Sequence, residues 1–194
     1  MGESLLLVVC FALCVITVPL AGGRLGALAT FAPRHVWAVF AAVAMQVGII
    51  SIWPGTGLPY VALHLISYGL LIVFLGSNRN LPGLWIIGTG TLMNFVAIAS
   101  NGGVMPATVG ALAKAGLIID PNQFANSAML TNPNYAFLGD VFAIPAGFPF
   151  ANVFSAGDVS IVLGALLTLH QVCASRFFPR RPTLTPVQSL DQTA

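Results

Sequence analysis

Charge is what this sequence has least of. Seven basic and five acidic side chains make up 6% of its 194 residues, where a water-soluble domain carries about a quarter. An ordinary solvated surface is excluded. The net charge of +2 is dilute, and no Lys/Arg run interleaved with aromatics occurs, which excludes a nucleic-acid-binding face. Cysteine is scarce as well: Cys10, Cys14 and Cys173 form no Cys-x-x-Cys pair and no disulfide framework, and they read as small buried hydrophobes. His35, His64 and His170 lie far apart, without the i, i+4 spacing that puts two ligands on one helix face. Neither a metal nor a cofactor is therefore expected. No repeat of about 20 to 50 residues is visible, nor an inverted pair of broken spans of the transporter kind, so a single domain is the economical reading.

What the chain has in abundance is apolar surface. With 57% hydrophobic residues and a mean hydropathy of +0.92, it reads as an all-α integral membrane protein. A membrane span needs about 20 mostly apolar residues, and five stretches qualify: 4–22, 36–53, 59–76, 82–100 and 157–174. The first lacks a basic leader and an Ala-x-Ala site, so it reads as a retained anchor rather than a cleaved signal peptide. Arg24, Arg34, Arg79, Arg176, Arg180 and Arg181 all fall on one side of these spans, whereas Lys114 lies within a long connection. The positive-inside rule then puts the N-terminus outside and the C-terminus in the cytoplasm. The expected organisation is one transmembrane domain over 1–176, with an external loop at 101–157 between spans four and five, and a disordered cytoplasmic tail at 177–194. The location expected is a bacterial inner membrane, crossed several times.

Three of the five acids, Asp120, Asp140 and Asp158, lie in or at the end of that loop, and none lies at mid-span. An ion pump normally needs ionisable groups at depth, and here only His64 is available, with Gln46, Ser67, Tyr68 and Asn94 as polar neighbours. His64 reads as a neutral histidine bonded to a neighbouring helix. Asp140 and Asp158 bracket the Phe- and Pro-rich stretch "VFAIPAGFPFANVFSAG". A segment of this kind folds back at the membrane interface and can bring both carboxylates to the mouth of the bundle. Two carboxylates in one apolar site cannot both ionise cheaply, so one keeps a proton while the other accepts one. That is the chemistry needed to activate water against a peptide carbonyl. A structural reading stands beside it: "SAGD" is an [ST]-x-x-[DE] capping box in which Ser155 caps the last span and Asp158 bonds back, and the aspartate of "LGD" can be a turn residue. The two roles are compatible, with Asp158 held ionised as base at the helix N-terminus and Asp140 left as acid.

"FPFANVFSAGDVSIVLGALLTL" resembles the final motif of the lipoprotein signal peptidases (signal peptidase II), a Phe-Asn-x-Ala-Asp sequence opening the last span. "GTGTLMNFVAIASNGG" has the glycine rhythm of that family's preceding motif, with Asn94 at the place of its Asn. The likeness covers about 85–174 and implies that Asp140 and Asp158 form a catalytic dyad. It also implies four spans with the dyad at the outer face, one fewer than here. Across the chain, "NGGVMP", "LGD" and "FSAGD" in this order on five spans are similar to an uncharacterised family of bacterial membrane proteins, a domain of unknown function.

"NGGVMPAT" suits a left-handed helix stop with Pro106 preventing continuation. Alternatively, Asn101 with the amides of Gly102 and Gly103 can hold a substrate carbonyl. Met105 and the loop phenylalanines can enter lipid or line an apolar pocket. The lead expectation is a membrane aspartyl peptidase cutting a peptide or lipopeptide at the outer face, with Asp158 as base and Asp140 as acid. Asn94, Asn101, Gly102, Gly103 and Ser155 would be its substrate-positioning groups. The alternative is a non-catalytic membrane subunit or scaffold whose external loop binds a protein partner or lipid. Membrane lipids, and a lipoprotein or membrane peptide, are the partners expected.

Overall fold

The structure is a computed structural model that describes residues 2–53, 57–81, 83–117 and 127–178. Asp120, Asp191, Arg180, Arg181 and the expected disordered tail from 179 onward lie outside the described residues. Among the described residues six α-helices dominate: α1 (Gly2–Leu20), α2 (Val36–Val47), α3 (Leu58–Ser77), α4 (Leu84–Ala99), the short α5 (Val109–Ala115) and α6 (Ala156–Val172). Four short strands occur as well: β1 (Met105–Pro106), β2 (Ser127–Ala128), β3 (Phe142–Ile144) and β4 (Asn152–Phe154). The all-α expectation is thus corrected within the connection 101–157. Extended, proline-punctuated segments there satisfy their backbone groups by pairing with one another, because no helical ladder is open to them.

Helix boundaries follow local chemistry. Pro59 sits in the first turn of α3, where its missing N–H removes nothing. After α4 the chain turns through Gly102 and Gly103 at φ +69° and +89°, and the Gly103 N–H reaches back to the Ile98 carbonyl at 2.9 Å. That is the glycine helix stop expected of "NGG". α2 relaxes into a π turn over Gly48–Ile52. Among the described residues only α3, with 20 residues and a mean hydropathy of 2.0, is long and apolar enough to cross a membrane. The other apolar segments, Val9–Leu20, Val36–Val47, Leu84–Ala99 and Ala156–Val172, are shorter. Five spans of about 20 residues are therefore not matched by helix length: α2 gives way to the π turn after 12 residues, α4 has 16 residues and α6 has 17.

α4 and α6 form the largest helix–helix interface, running antiparallel. Small residues at heptad spacing set it up, with Gly83 against Gly164 and Gly90 against Gly157. A Cβ at Gly164 would stand 2.6 Å from the Ile87 backbone nitrogen, and one at Gly90 would stand 2.9 Å from Ile161 and Ser160 side-chain carbons. Only glycine lets the two backbones approach this closely.

At the end of the bundle where α6 finishes, the turns carrying the arginines are tied to one another. Arg24 donates its N–H to the Cys173 carbonyl (2.9 Å) and Arg176 to the Ala21 carbonyl (2.9 Å). The Arg34 N–H is held by the Asn78 side chain (2.8 Å), next to Arg79. His170 of α6 bridges Thr17 (3.1 Å) and Ser175 (2.9 Å), which fastens α1 to the same end. Large apolar side chains such as Phe11, Phe40, Ile66 and Leu92 point outward from the helices. At the opposite end the described parts of the connection, 101–117 and 127–157, fold over the bundle. Tyr68, Ala97, Ile98 and Met105 form one buried cluster, and Ala107, Ala111, Leu112, Ala115 and Val153 form a second within the cap. Met105 is therefore a buried plug between cap and bundle, not a lipid-facing or pocket-lining residue.

Candidate functional site

The site begins with α6. The Ser155 hydroxyl accepts from the Asp158 N–H at 3.0 Å, and the Ser155 N–H donates to Asp158 Oδ2 at 2.9 Å. This is the reciprocal capping box read in "SAGD". Across the glycine seam, α4 adds a third member. Asn94 donates Nδ2 to Asp158 Oδ1 at 2.8 Å, while its Oδ1 lies 2.9 Å from the Ser155 hydroxyl. Gly157 makes this possible, since a Cβ there would fall on Asn94 Oδ1. Asn94, Ser155 and Asp158 are thus one hydrogen-bonded unit holding the carboxylate by both oxygens. Oδ2 also accepts from the Ser155 hydroxyl at 2.9 Å, so of the two acceptor positions on each oxygen the one left for water or a substrate proton is on Oδ1.

Asp140 is buried at 3% exposure and is placed by pairing in the cap. Its N–H donates to the Pro106 carbonyl at 2.8 Å, and its carbonyl accepts the Thr108 N–H at 3.1 Å, forming a parallel bridge with Ala107. Gly139 permits the approach, because a Cβ there would collide with the Pro106 carbonyl. "NGGVMPAT" and "LGD", separate in the sequence, are therefore one strand-like unit. β2 lies on the far side of β1, with Ser127 opposite Met105, and the Ser127 hydroxyl donates to Asp140 Oδ2. Nothing in "FANSAML" marks Ser127 locally, since its role depends on pairing between distant segments.

Asp140 and Asp158 line the same cavity, of about 270 Å³. Ser127 and Asn152 are its other polar members, and its walls are apolar: Leu6 and Cys10 from α1, Ile144 and Phe154 from the β3–β4 hairpin, and Val159, Val162 and Leu163 from α6. Behind it the buried phenol of Tyr68, on α3, lies against the Asn94 carboxamide and within electrostatic reach of both aspartates. The contribution of α1 and Tyr68 to this neighbourhood is not apparent from their own sequence contexts, which read as plain apolar spans.

The remaining positioning candidates lie elsewhere. Asn101 donates to the Ala97 carbonyl (2.7 Å) and the Asn134 carbonyl (2.8 Å), and its Oδ1 accepts the Asn134 N–H (2.8 Å). It clamps the cap to the end of α4, with Gly102 and Gly103 forming the helix stop. None of the three lines the cavity. His64 is buried in α3 and stacks on Tyr68 with ring centroids 5.6 Å apart, and Ser67 hydrogen-bonds to its backbone carbonyl (2.6 Å). Among the described residues no group of three or more His, Cys, Asp or Glu could hold a metal.

These features define a class: a mostly helical, strongly apolar bundle with a folded cap and an aspartate-lined cavity beneath it. Residues 30–170 match the family of unknown function DUF5317, and the chain belongs to that family. An uncharacterised protein of Thermotoga maritima is 29% identical over 104 residues, which is 53% of this chain and 59% of the relative. The match thus spans less than two thirds of that relative's length. No solved structure matches.

Proposed function

We propose that this is a multi-pass membrane protein, N-terminus out and C-terminus in, whose Asp140 and Asp158 hydrolyse a peptide or lipopeptide at the outer face. The observation that carries the reading is that both aspartates, from segments with different structural reasons to exist, line one cavity with apolar walls. The topology is supported by the arginine-bearing turns gathered at one end of the bundle and the aspartates at the other. α6 separates them by 17 residues, about 25 Å at 1.5 Å per residue, close to the thickness of the hydrocarbon core. Outward-facing Phe11, Phe40, Ile66 and Leu92 suit lipid better than water. The signal peptidase II likeness of "FSAGD" and its upstream glycine-rich span points the same way.

In this mechanism a water bound between the carboxyl groups attacks the substrate amide carbon. Asp158, whose oxygens are oriented by Ser155 N–H and Asn94, takes the water proton. Asp140, oriented by Ser127, gives its proton to the carbonyl oxygen. Collapse of the resulting diol breaks the C–N bond, with the proton on Asp158 passing to the leaving amine and a diol hydroxyl proton returning to Asp140. The test is turnover of a fluorogenic lipopeptide by the purified protein in nanodiscs beside Asp140→Asn and Asp158→Asn. Loss of turnover in both variants, each keeping the wild-type melting temperature within a few degrees, is the expected outcome. Undiminished turnover in either removes the dyad.

One observation favours a second reading, in which the cap is a docking surface of a non-catalytic subunit. Tyr135, Phe137, Phe148 and Phe150 are exposed on it, Phe137 at 70%. On that reading the aspartates serve only as cap and bridge residues. Their Asn variants would then lower the melting temperature, while a Phe137→Ser, Phe148→Ser double variant would release a co-purifying partner or lipid.

A further inference from the structure

Asn152 has a function that neither the capping box nor the β3–β4 pairing explains. It opens β4 opposite Ile144, is 2% exposed, and lines the cavity with the two aspartates. Its Oδ1 accepts the N–H of Val153 at 2.9 Å, which fixes which end of the carboxamide is oxygen. Its Nδ2 donates to no group among the described residues. That nitrogen is not closed off within the protein, so it is open to a group in the cavity, and an asparagine placed only to cap an edge amide would need no donor there.

From the geometry we infer that Asn152 Nδ2 is the hydrogen-bond donor for the carbonyl oxygen of the bond to be cut, which makes the ligand of this cavity an amide or ester. The inference rests on the hydrolytic reading above and deepens it. Asp140 and Asp158 supply proton transfer, and Asn152 binds the oxygen on which negative charge develops. A preorganised donor in an apolar cavity is most effective at that oxygen. Asn152 reaches the cavity from the hairpin, whereas Asp158 arises from α6 and Asp140 from the β1 side, so the three approach a substrate from different segments.

Two variants separate this role from a structural one. Asn152→Asp keeps an oxygen for the Val153 N–H and loses the donor, whereas Asn152→Ala loses both without adding charge. Both are expected to lower kcat/KM for the fluorogenic lipopeptide by about 10²- to 10³-fold. A second readout does not require turnover. Cys10 lines the cavity and is half-buried, while Cys14 and Cys173 are buried, so protection of Cys10 from a maleimide reports occupancy. In the Asp158→Asn background, the lipopeptide should protect Cys10 better than its trans-alkene isostere, which lacks the carbonyl oxygen. Adding Asn152→Asp should abolish that preference. Wild-type cleavage rates in both Asn152 variants overturn the inference, as does a preference for the amide that survives Asn152→Asp. If the unmodified protein does not cleave, the hydrolytic reading falls and the preference alone decides: its loss in Asn152→Asp sustains the donor role, and its absence, or no protection by either probe, overturns it.

Discussion

The α4–α6 seam and the α2–α3 seam join helices of similar composition in different ways. In the first, Gly83, Gly90, Gly157 and Gly164 remove side chains from the contact, the backbones close, and Asn94, Ser155 and Asp158 meet across them. In the second, Met45, Ile49, Trp53, Tyr60 and Leu63 line a groove of about 680 Å³ between the helices. A side-chain hydrogen bond from Gln46 Nε2 to the Ser67 hydroxyl at 3.0 Å crosses it. In apolar surroundings the hydrophobic effect between helices is weak, so close packing and polar contacts decide which pair is rigid. The candidate site stands on the rigid pair, which is where a carboxylate can be held in one orientation.

The largest test of that contrast is Gly157→Ala. The added methyl meets Asn94 Oδ1 and comes within 2.8 Å of the Gly90 carbonyl, so a loss of about 3 kcal/mol or more is expected, at or beyond the upper end of overpacking costs. The control is Gly69→Ala on α3, which has open space around it and should be neutral or stabilising by up to about 1 kcal/mol. Thermal unfolding in one detergent compares the two, and equal melting temperatures would dissolve the distinction between the seams.

A smaller effect is expected from Asn94→Leu, which preserves volume but leaves Asp158 Oδ1 without its donor, while the Ser155 hydroxyl keeps Asp158 Oδ2 as an acceptor. A loss of about 1–3 kcal/mol follows, read by denaturant titration in mixed micelles. The smallest is Gln46→Leu. Ser67 keeps its bond to the His64 carbonyl, so only one interhelical contact disappears, worth about 0.6 kcal/mol. A Gln46→Leu loss as large as that of Asn94→Leu would mean that the α2–α3 bond, too, belongs to a network.

The parts legible in the sequence are those whose causes lie within a few residues. The capping box of "SAGD" needs only Ser155 and Asp158 three positions apart, and the stop after α4 needs only "NGG". The strands in the cap escaped the sequence reading because two- and three-residue strands carry too little alternation to stand out. Ser127 and Asn152 escaped it for another reason: their side chains acquire meaning only beside Asp140 and the cavity. Asn101 shows the converse, a polar residue beside glycines that suggests a binding group and instead closes a clamp on Asn134.

By itself the sequence determined the apolar class of the protein, the approximate positions of its principal helices, and the pairing of Ser155 with Asp158, because composition, periodicity and caps act locally. Only the tertiary structure decided that "NGGVMPAT" and "LGD" are one unit, that Asn94 reaches Asp158 across 64 positions, and that α1 supplies a wall of the cavity. Those contacts exist because glycine backbones can approach and because buried backbone groups must find partners, and neither condition names its partner in the chain around it.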